Sequence, residues 1–347
     1  MPDPVGLPPV VAAAVVGSAL LHASWNAVAK AIPYRLLASA LIGTSGAAVG
    51  VVWSRLTPVP LGPSWPYLVA SSVLQTVYLL LLTAAYGRGE FRRVYPVARG
   101  SAPLLVTIVS LTALGEHLAA GQLVGIALVI AALAVLASMP RSRPRTGTAS
   151  GLGLALATGV MIAAYTLVDG IGVRQSGSAA GYAAWSLVVH GPLLVTTCLI
   201  LAGPRQMIGW LRGDGGAGDS VTNLADHPTT GGAAPARTPA TDGAVIGHAP
   251  AGDDARDTAR GSIRSPRHRP AVMITAGLLG GIFSLAAYAI VLWAQSRASL
   301  SLVSALRETS VLFAGLIGAL LFAERFTARQ TVAALGVVAG IALMQLA

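Results

Sequence analysis

The sequence predicts an all-α integral membrane protein of ten transmembrane helices, arranged as two inverted five-helix repeats. Three observations carry that expectation: a composition too apolar for water, ten apolar runs of spanning length, and one arginine-to-glutamate framework used twice.

The chain has 347 residues, 54% hydrophobic and only 10% charged, with a mean hydropathy of +0.70. A water-soluble protein carries about a quarter charged residues, so this chain lacks the polar surface to cover itself in water. Its net charge is +10, from one lysine, 22 arginines and 13 acids. Most of the basic residues lie in short connections between apolar runs, where membrane topology puts them. No single basic face interleaved with polar or aromatic readers is evident, so no nucleic-acid partner is expected. One cysteine, Cys198, excludes an intrachain disulfide and a cysteine metal cluster. Residues 1–9 carry no Lys or Arg and the first apolar run continues without a cleavage site, so no cleavable signal peptide is expected.

About 20 apolar residues cross about 30 Å of hydrocarbon as a helix. The expected spans are 9–30, 35–53, 65–86, 92–114, 119–139, 150–171, 180–202, 271–294, 299–322 and 329–346. The runs are continuous and do not alternate, which favours helices that satisfy their own backbone in lipid. Lys30 and Arg35 flank the first connection, and Arg55 follows the second span. Arg88, Arg92 and Arg93 mark the third connection, and Gly115-Glu116 the turn after the fourth span. Arg141, Arg143 and Arg145 follow the fifth span, Arg174 the sixth, Arg297 the eighth, and Arg325 and Arg329 the ninth.

Between the seventh and eighth spans, residues 203–270 are rich in Gly, Ala, Pro, Thr, Asp and Arg. Such a segment buries too little apolar surface to offset ordering entropy and is expected to be disordered. His227, His248 and His268 within it have no metal-ligand spacing. The odd-numbered short connections hold ten Lys and Arg residues and the others three. The positive-inside rule then puts both termini outside and the long loop in the cytoplasm.

Arg99 and Glu116 are 17 residues apart, as are Arg307 and Glu324, and Gln122 and Gln330 each follow their glutamate by six. The register is ungapped. An odd number of spans per copy makes the second copy cross in the opposite sense, as in secondary transporters whose site lies between the halves. Repeat boundaries are expected at 1–140 and 141–347, the second interrupted by 203–270.

The segments "LLHASWNAVAK", "AYGRGEFRRVYPVARGSAPLL", "ALGEHLAAGQLVGIALVIAALAVL" and "SALRETSVLFAGLIGALLFAERFTARQ" resemble the EamA domains of the drug/metabolite transporter superfamily. The likeness covers nearly all of the chain outside 203–270. It implies a ten-helix carrier that moves a small metabolite by alternating access, with a cavity lined by the first, third and fourth helices of each half. Glu324 follows Ala323 where the first copy has Gly115 before Glu116, a departure from the motif.

An arginine at bilayer depth costs about 2.5–3.5 kcal/mol on insertion scales, so Arg99, between Pro96 and Pro103, and Arg307 are site candidates. Arg99 reads as a binding or gating residue or as an anchor snorkelling to the interface. Arg307 starts deeper. Glu308 points about 100° away from Arg307 around the helix, so one of the two can line a cavity while the other pairs elsewhere. Asp169 reads as a proton-carrying acid or a water-facing helix end. His22, Trp25 and Asn26 form a polar and aromatic stripe, although Asn26 could equally bond another helix. Tyr165 stands where Trp25 stands in the first span; Tyr78, Tyr86, Tyr95, Tyr288 and Trp293 offer stacking surfaces. Trp53 and Trp65 fit an interfacial belt. Glu116 and Glu324 are expected to start the following helix, where negative charge suits the dipole. His190 reads as a packed histidine.

No Walker loop or HExxH is present, and no cofactor is expected. The expected function is a secondary active transporter of the inner or plasma membrane, an exporter by resemblance, for an amino-acid-like, cationic or drug-like solute. A proton is a candidate coupling ion and a homo-oligomer an open alternative. The rival readings are a lipid-linked substrate flippase and a membrane enzyme or assembly subunit.

Overall fold

The computed structural model describes residues 7–30, 32, 34–88, 91–138, 148–212, 270–322 and 327–346. Among these, every regular element is helical. The helices are α1 (Pro9–Lys30), α2 (Arg35–Ser54), α3 (Trp65–Arg88), α4 (Phe91–Thr112), α5 (Ala120–Ala137), α6 (Thr148–Gln175), α7 (Ala179–Ala202), α8 (Pro204–Arg212), α9 (Pro270–Gln295), α10 (Leu300–Arg307), α11 (Thr309–Phe322) and α12 (Ala328–Leu346).

Among the described residues, nine helical stretches are long and apolar enough to cross a membrane. The chain is a multi-pass membrane protein. Of the fourth expected span, the described side chains cover Val97–Thr112, an apolar stretch shorter than the other nine.

Two expectations are corrected. The ninth span, read as continuous from 299 to 322, is two helices joined at Glu308. Glu308 N–H donates to Ala305 O at 3.1 Å, a three-residue closure, and the Thr309 hydroxyl takes Leu306 O at 2.8 Å. A hydroxyl that competes for a helix carbonyl weakens the regular ladder there. The second correction concerns 203–270, read as wholly disordered. Its first residues form α8, with Pro204 at the first helical position and Met207 and Trp210 three apart on one face. Trp210 is fully buried and stacks on Tyr34 with ring centroids 5.0 Å apart. That packing outweighs the surrounding Gly- and Pro-rich composition. Residues 213–269, with His227, His248 and His268, lie outside the described residues, as does Glu324.

Small residues set the closest helix crossings. A Cβ on Gly191 of α7 would lie 2.6 Å from Gly43 O and 2.8 Å from Ala47 N of α2. Likewise a Cβ on Gly125 of α5 would meet Gly340 O of α12 at 2.5 Å. In lipid, where apolar side chains gain little by leaving one apolar surface for another, such close backbone approach drives association. The other extensive pairings are α3 with α6, α1 with α9, α4 with α6, α4 with α5, α2 with α9, and α1 with α11. Gln122 and Gln330 share one local role: their side chains accept from Ala119 N at 3.0 Å and Thr327 N at 2.8 Å, closing the starts of α5 and α12.

The turns after α2, α4, α6 and α9 gather at one end of the bundle. Leu61 N–H donates to Ser176 O at 3.0 Å, and Arg174 donates to Gln295 O and Ala298 O at 3.0 and 2.8 Å. This end contains Arg55, Arg174 and Arg297, the smaller basic set of the topology count.

Candidate functional site

Arg99 of α4, Arg307 at the end of α10 and Glu308 at the joint that follows it come together inside the bundle, and Asp169 of α6 lies within electrostatic reach of Arg307. Arg99 does not snorkel to an interface. It is 6% exposed, lies 3.6 Å from the Glu308 carboxylate, and donates to Ser310 Oγ at 3.1 Å. The joint at Glu308 explains why adjacent Arg307 and Glu308 have different partners. Glu308 reaches α4, whereas Arg307 turns to α6, donating to Thr166 Oγ1 at 3.4 Å and Tyr165 Oη at 3.5 Å. Glu308 Oε2 is buried and, among the described residues, has no hydrogen-bond partner.

Asp169 is not a water-facing helix end, being 1% exposed. Its two oxygens accept from the hydroxyls of Tyr182 at 3.2 Å and Tyr288 at 2.8 Å. The Tyr288 oxygen accepts in turn from Gln75 Nε2 at 3.0 Å, and the same amide donates to Ser71 Oγ at 2.9 Å. Thus Tyr288 acts through its hydroxyl in a polar network from α3, α6, α7 and α9. Tyr78 packs edge-on against Tyr165 at 5.8 Å, an aromatic pair beside Arg307.

His22 of α1 lies within electrostatic reach of both Arg99 and Arg307. Its ring accepts from Trp25 Nε1 at 3.2 Å, and the two rings meet edge-on at 5.2 Å. Asn26 donates back to His22 O at 2.7 Å within its own helix, so this bond joins no second helix. The side chains of Tyr86 and Tyr95 lie outside the described residues. Trp293 serves a different place: Arg297 stacks on its ring at 5.0 Å, at the end of α9. His190 contacts Ser72 O at 3.3 Å.

Glu116 corrects another expectation. It lies in the turn before α5 and caps a different helix, α10. Its carboxylate accepts from Ser299 Oγ at 2.7 Å, Leu300 N at 2.7 Å, Ser301 N at 3.3 Å and Ser301 Oγ at 2.9 Å, with Arg174 3.6 Å away. A carboxylate is favoured there because the first N–H groups of a helix lack intrahelical partners and carry partial positive charge. Gly115 makes the reach feasible. Its φ of +67° is the left-handed conformation that glycine adopts without steric cost.

Sequence reasoning missed Ser71, Gln75, Thr166, Tyr182 and Ser310 as partners of the charged groups. Gln75 was the most visible, as an amide within an apolar run. Arg174 was read as a topological charge. Among the described residues, no group of three or more His, Cys, Asp or Glu side chains is placed to hold a metal ion.

Comparison with known proteins bears on the same part of the chain. Residues 260–346, which include Arg307 and Glu308, match the EamA-like transporter family. A crystal structure described only as that of a protein is similar at a TM-score of 0.65. It is 17% identical, over 97% of this chain and 98% of that one, and shows the fold alone. No curated protein matches the chain.

Proposed function

From a chain whose residues 260–346 carry an EamA-type domain of the drug/metabolite transporter superfamily, we propose a secondary active transporter of the cell membrane that works by alternating access. Its solute is a small metabolite or drug-like molecule, and export is the direction. The observation that carries this reading is the gathering of Arg99, Arg307 and Glu308, with Asp169 in electrostatic reach of Arg307, inside an apolar bundle. Charges at bilayer depth face the bundle interior or a watered path, and mark solute and ion routes. Both signs are present, and among the described residues Glu308 Oε2 has no donor, which suits a zwitterion or organic ion better than a neutral sugar.

Two inverted five-helix repeats, 1–140 and 141–347, underlie this reading, with α4 as the tenth crossing. The helix pairings support it, because they exchange in kind between the halves. Helix α3 packs on α6 as α1 packs on α9, and α4 packs on α6 as α1 packs on α11. Positive charge bias places the long connection after α8 in the cytoplasm. A proton is the coupling ion, carried by Asp169 or Glu308.

Reconstitution into liposomes with a panel of radiolabelled metabolites tests the function. Uptake or counterflow of at least one solute, abolished by Arg307→Ala, is expected. No saturable flux of any solute, from protein shown to be folded and inserted, would contradict it.

A further inference from the structure

We propose that Arg307, and not its sequence counterpart Arg99, reads the charge of the transported solute by binding an anionic group such as a carboxylate. The inference rests on the carrier reading and adds a division of labour between the two arginines.

Arg99 is already compensated. It is buried, its charge is opposed by Glu308 at 3.6 Å, and Ser310 accepts one of its N–H groups. Arg307 is different. Among the described residues no carboxylate lies within ion-pair distance of it. Its bonds to Thr166 and Tyr165, at 3.4 and 3.5 Å, are at the outer limit of hydrogen bonding and end on neutral hydroxyls. A guanidinium offers five N–H donors in a planar fork, so most of its capacity is unused. Arg307 is also only half-buried.

Neither nearby acid contacts Arg307, although both lie within electrostatic reach of it. Both Asp169 oxygens take tyrosine hydroxyls, and Glu308 points to α4. A cation in the membrane interior without a contacting anion is costly. A carboxylate arriving from the solute would supply the missing charge and match the fork through two parallel bonds. Tyr165 and Thr166 stand beside the guanidinium, and Tyr78 braces Tyr165 at 5.8 Å. A solute taken up by Arg307 therefore meets an aromatic wall on α3 and α6.

The test is a ligand-induced thermal-shift titration of the purified full chain. The probes are acetate, succinate, phenylalanine and glutamate, each compared with its carboxamide. In the wild type, at least one acid is expected to bind about 10- to 100-fold tighter than its amide, the range of a charge-assisted hydrogen bond. Arg307→Gln should erase that preference, and Arg307→Lys should keep part of it. Equal binding of acid and amide, no binding of any acid, or a preference that survives Arg307→Gln would overturn the assignment. The wild-type comparison decides even if Arg307→Gln does not fold. Flux of a cation or neutral solute in liposomes, with no acid bound, would overturn this role of Arg307 and leave the carrier standing.

Discussion

The Arg99 guanidinium and the Glu308 carboxylate lie 3.6 Å apart, both almost wholly buried, and join α4 to the joint between α10 and α11. Desolvating two charges is offset only while both partners are present. Arg99→Met alone should therefore destabilise the protein by about 3–5 kcal/mol. The double variant Arg99→Met/Glu308→Met should recover most of that loss. Thermal unfolding in detergent checks the prediction, and two losses that simply add would refute the idea that each group is there to balance the other.

Asp169 is held by the hydroxyls of Tyr182, Tyr288 and Ser71, and among the described residues no cation contacts it. Asp169→Asn keeps the shape and removes the charge. If Asp169 carries the coupling proton, the variant should lose solute accumulation driven by a pH gradient while retaining solute exchange. Parallel accumulation and counterflow assays separate the two. Accumulation at the wild-type level would transfer the proton-carrying role to Glu308 or remove it.

Glu116 fastens the turn after α4 to the start of α10, whose far end presents Arg307. Glu116→Ala leaves the first N–H groups of α10 without their acceptor and removes the carboxylate beside Arg174, which keeps its bonds to Gln295 O and Ala298 O. A lost helix cap costs about 0.5–2 kcal/mol. With Cys198 replaced, a single cysteine at Leu61, in the same cluster of turns, should react faster with an impermeant maleimide in the Glu116→Ala background. An unchanged rate would mean that this end holds together without Glu116.

Trp210 is fully buried against Tyr34, although it lies in the polar connection that follows the seventh apolar span. Trp210→Ala should cost about 3–5 kcal/mol, the usual loss for a buried aromatic. Deleting 213–262, by contrast, should leave transport largely intact. Loss of transport by a correctly inserted deletion would assign that segment a role beyond tethering.

Much of the architecture was legible because lipid imposes a simple rule: a helix that crosses must be long and apolar, and nine stretches among the described residues satisfy it. The exceptions arise where a local contact outweighs composition. Helix α8 is set by Met207 and Trp210 in a polar surround, and the ninth span is interrupted by one polar run, Arg307-Glu308-Thr309. Glu116 was misassigned because the helix it caps lies far away in sequence, and no short-range pattern encodes that reach. In the site, Arg99, Asp169, Arg307 and Glu308 stood out because charge is rare in such runs. Tyr288 stood out as a stacking surface and not as a hydroxyl partner, and Tyr182, Gln75 and Ser310 were passed over, since hydroxyls and amides occur throughout spanning helices and acquire meaning only through packing.

Substituted-cysteine labelling at Tyr165, beside Arg307, tests the carrier most directly. In a Cys198-free protein in sided vesicles, Tyr165→Cys should react with an impermeant reagent from either face, and a transported solute should slow both reactions. Labelling from one face only, or none, with the solute without effect, would contradict alternating access to a chamber between the two halves.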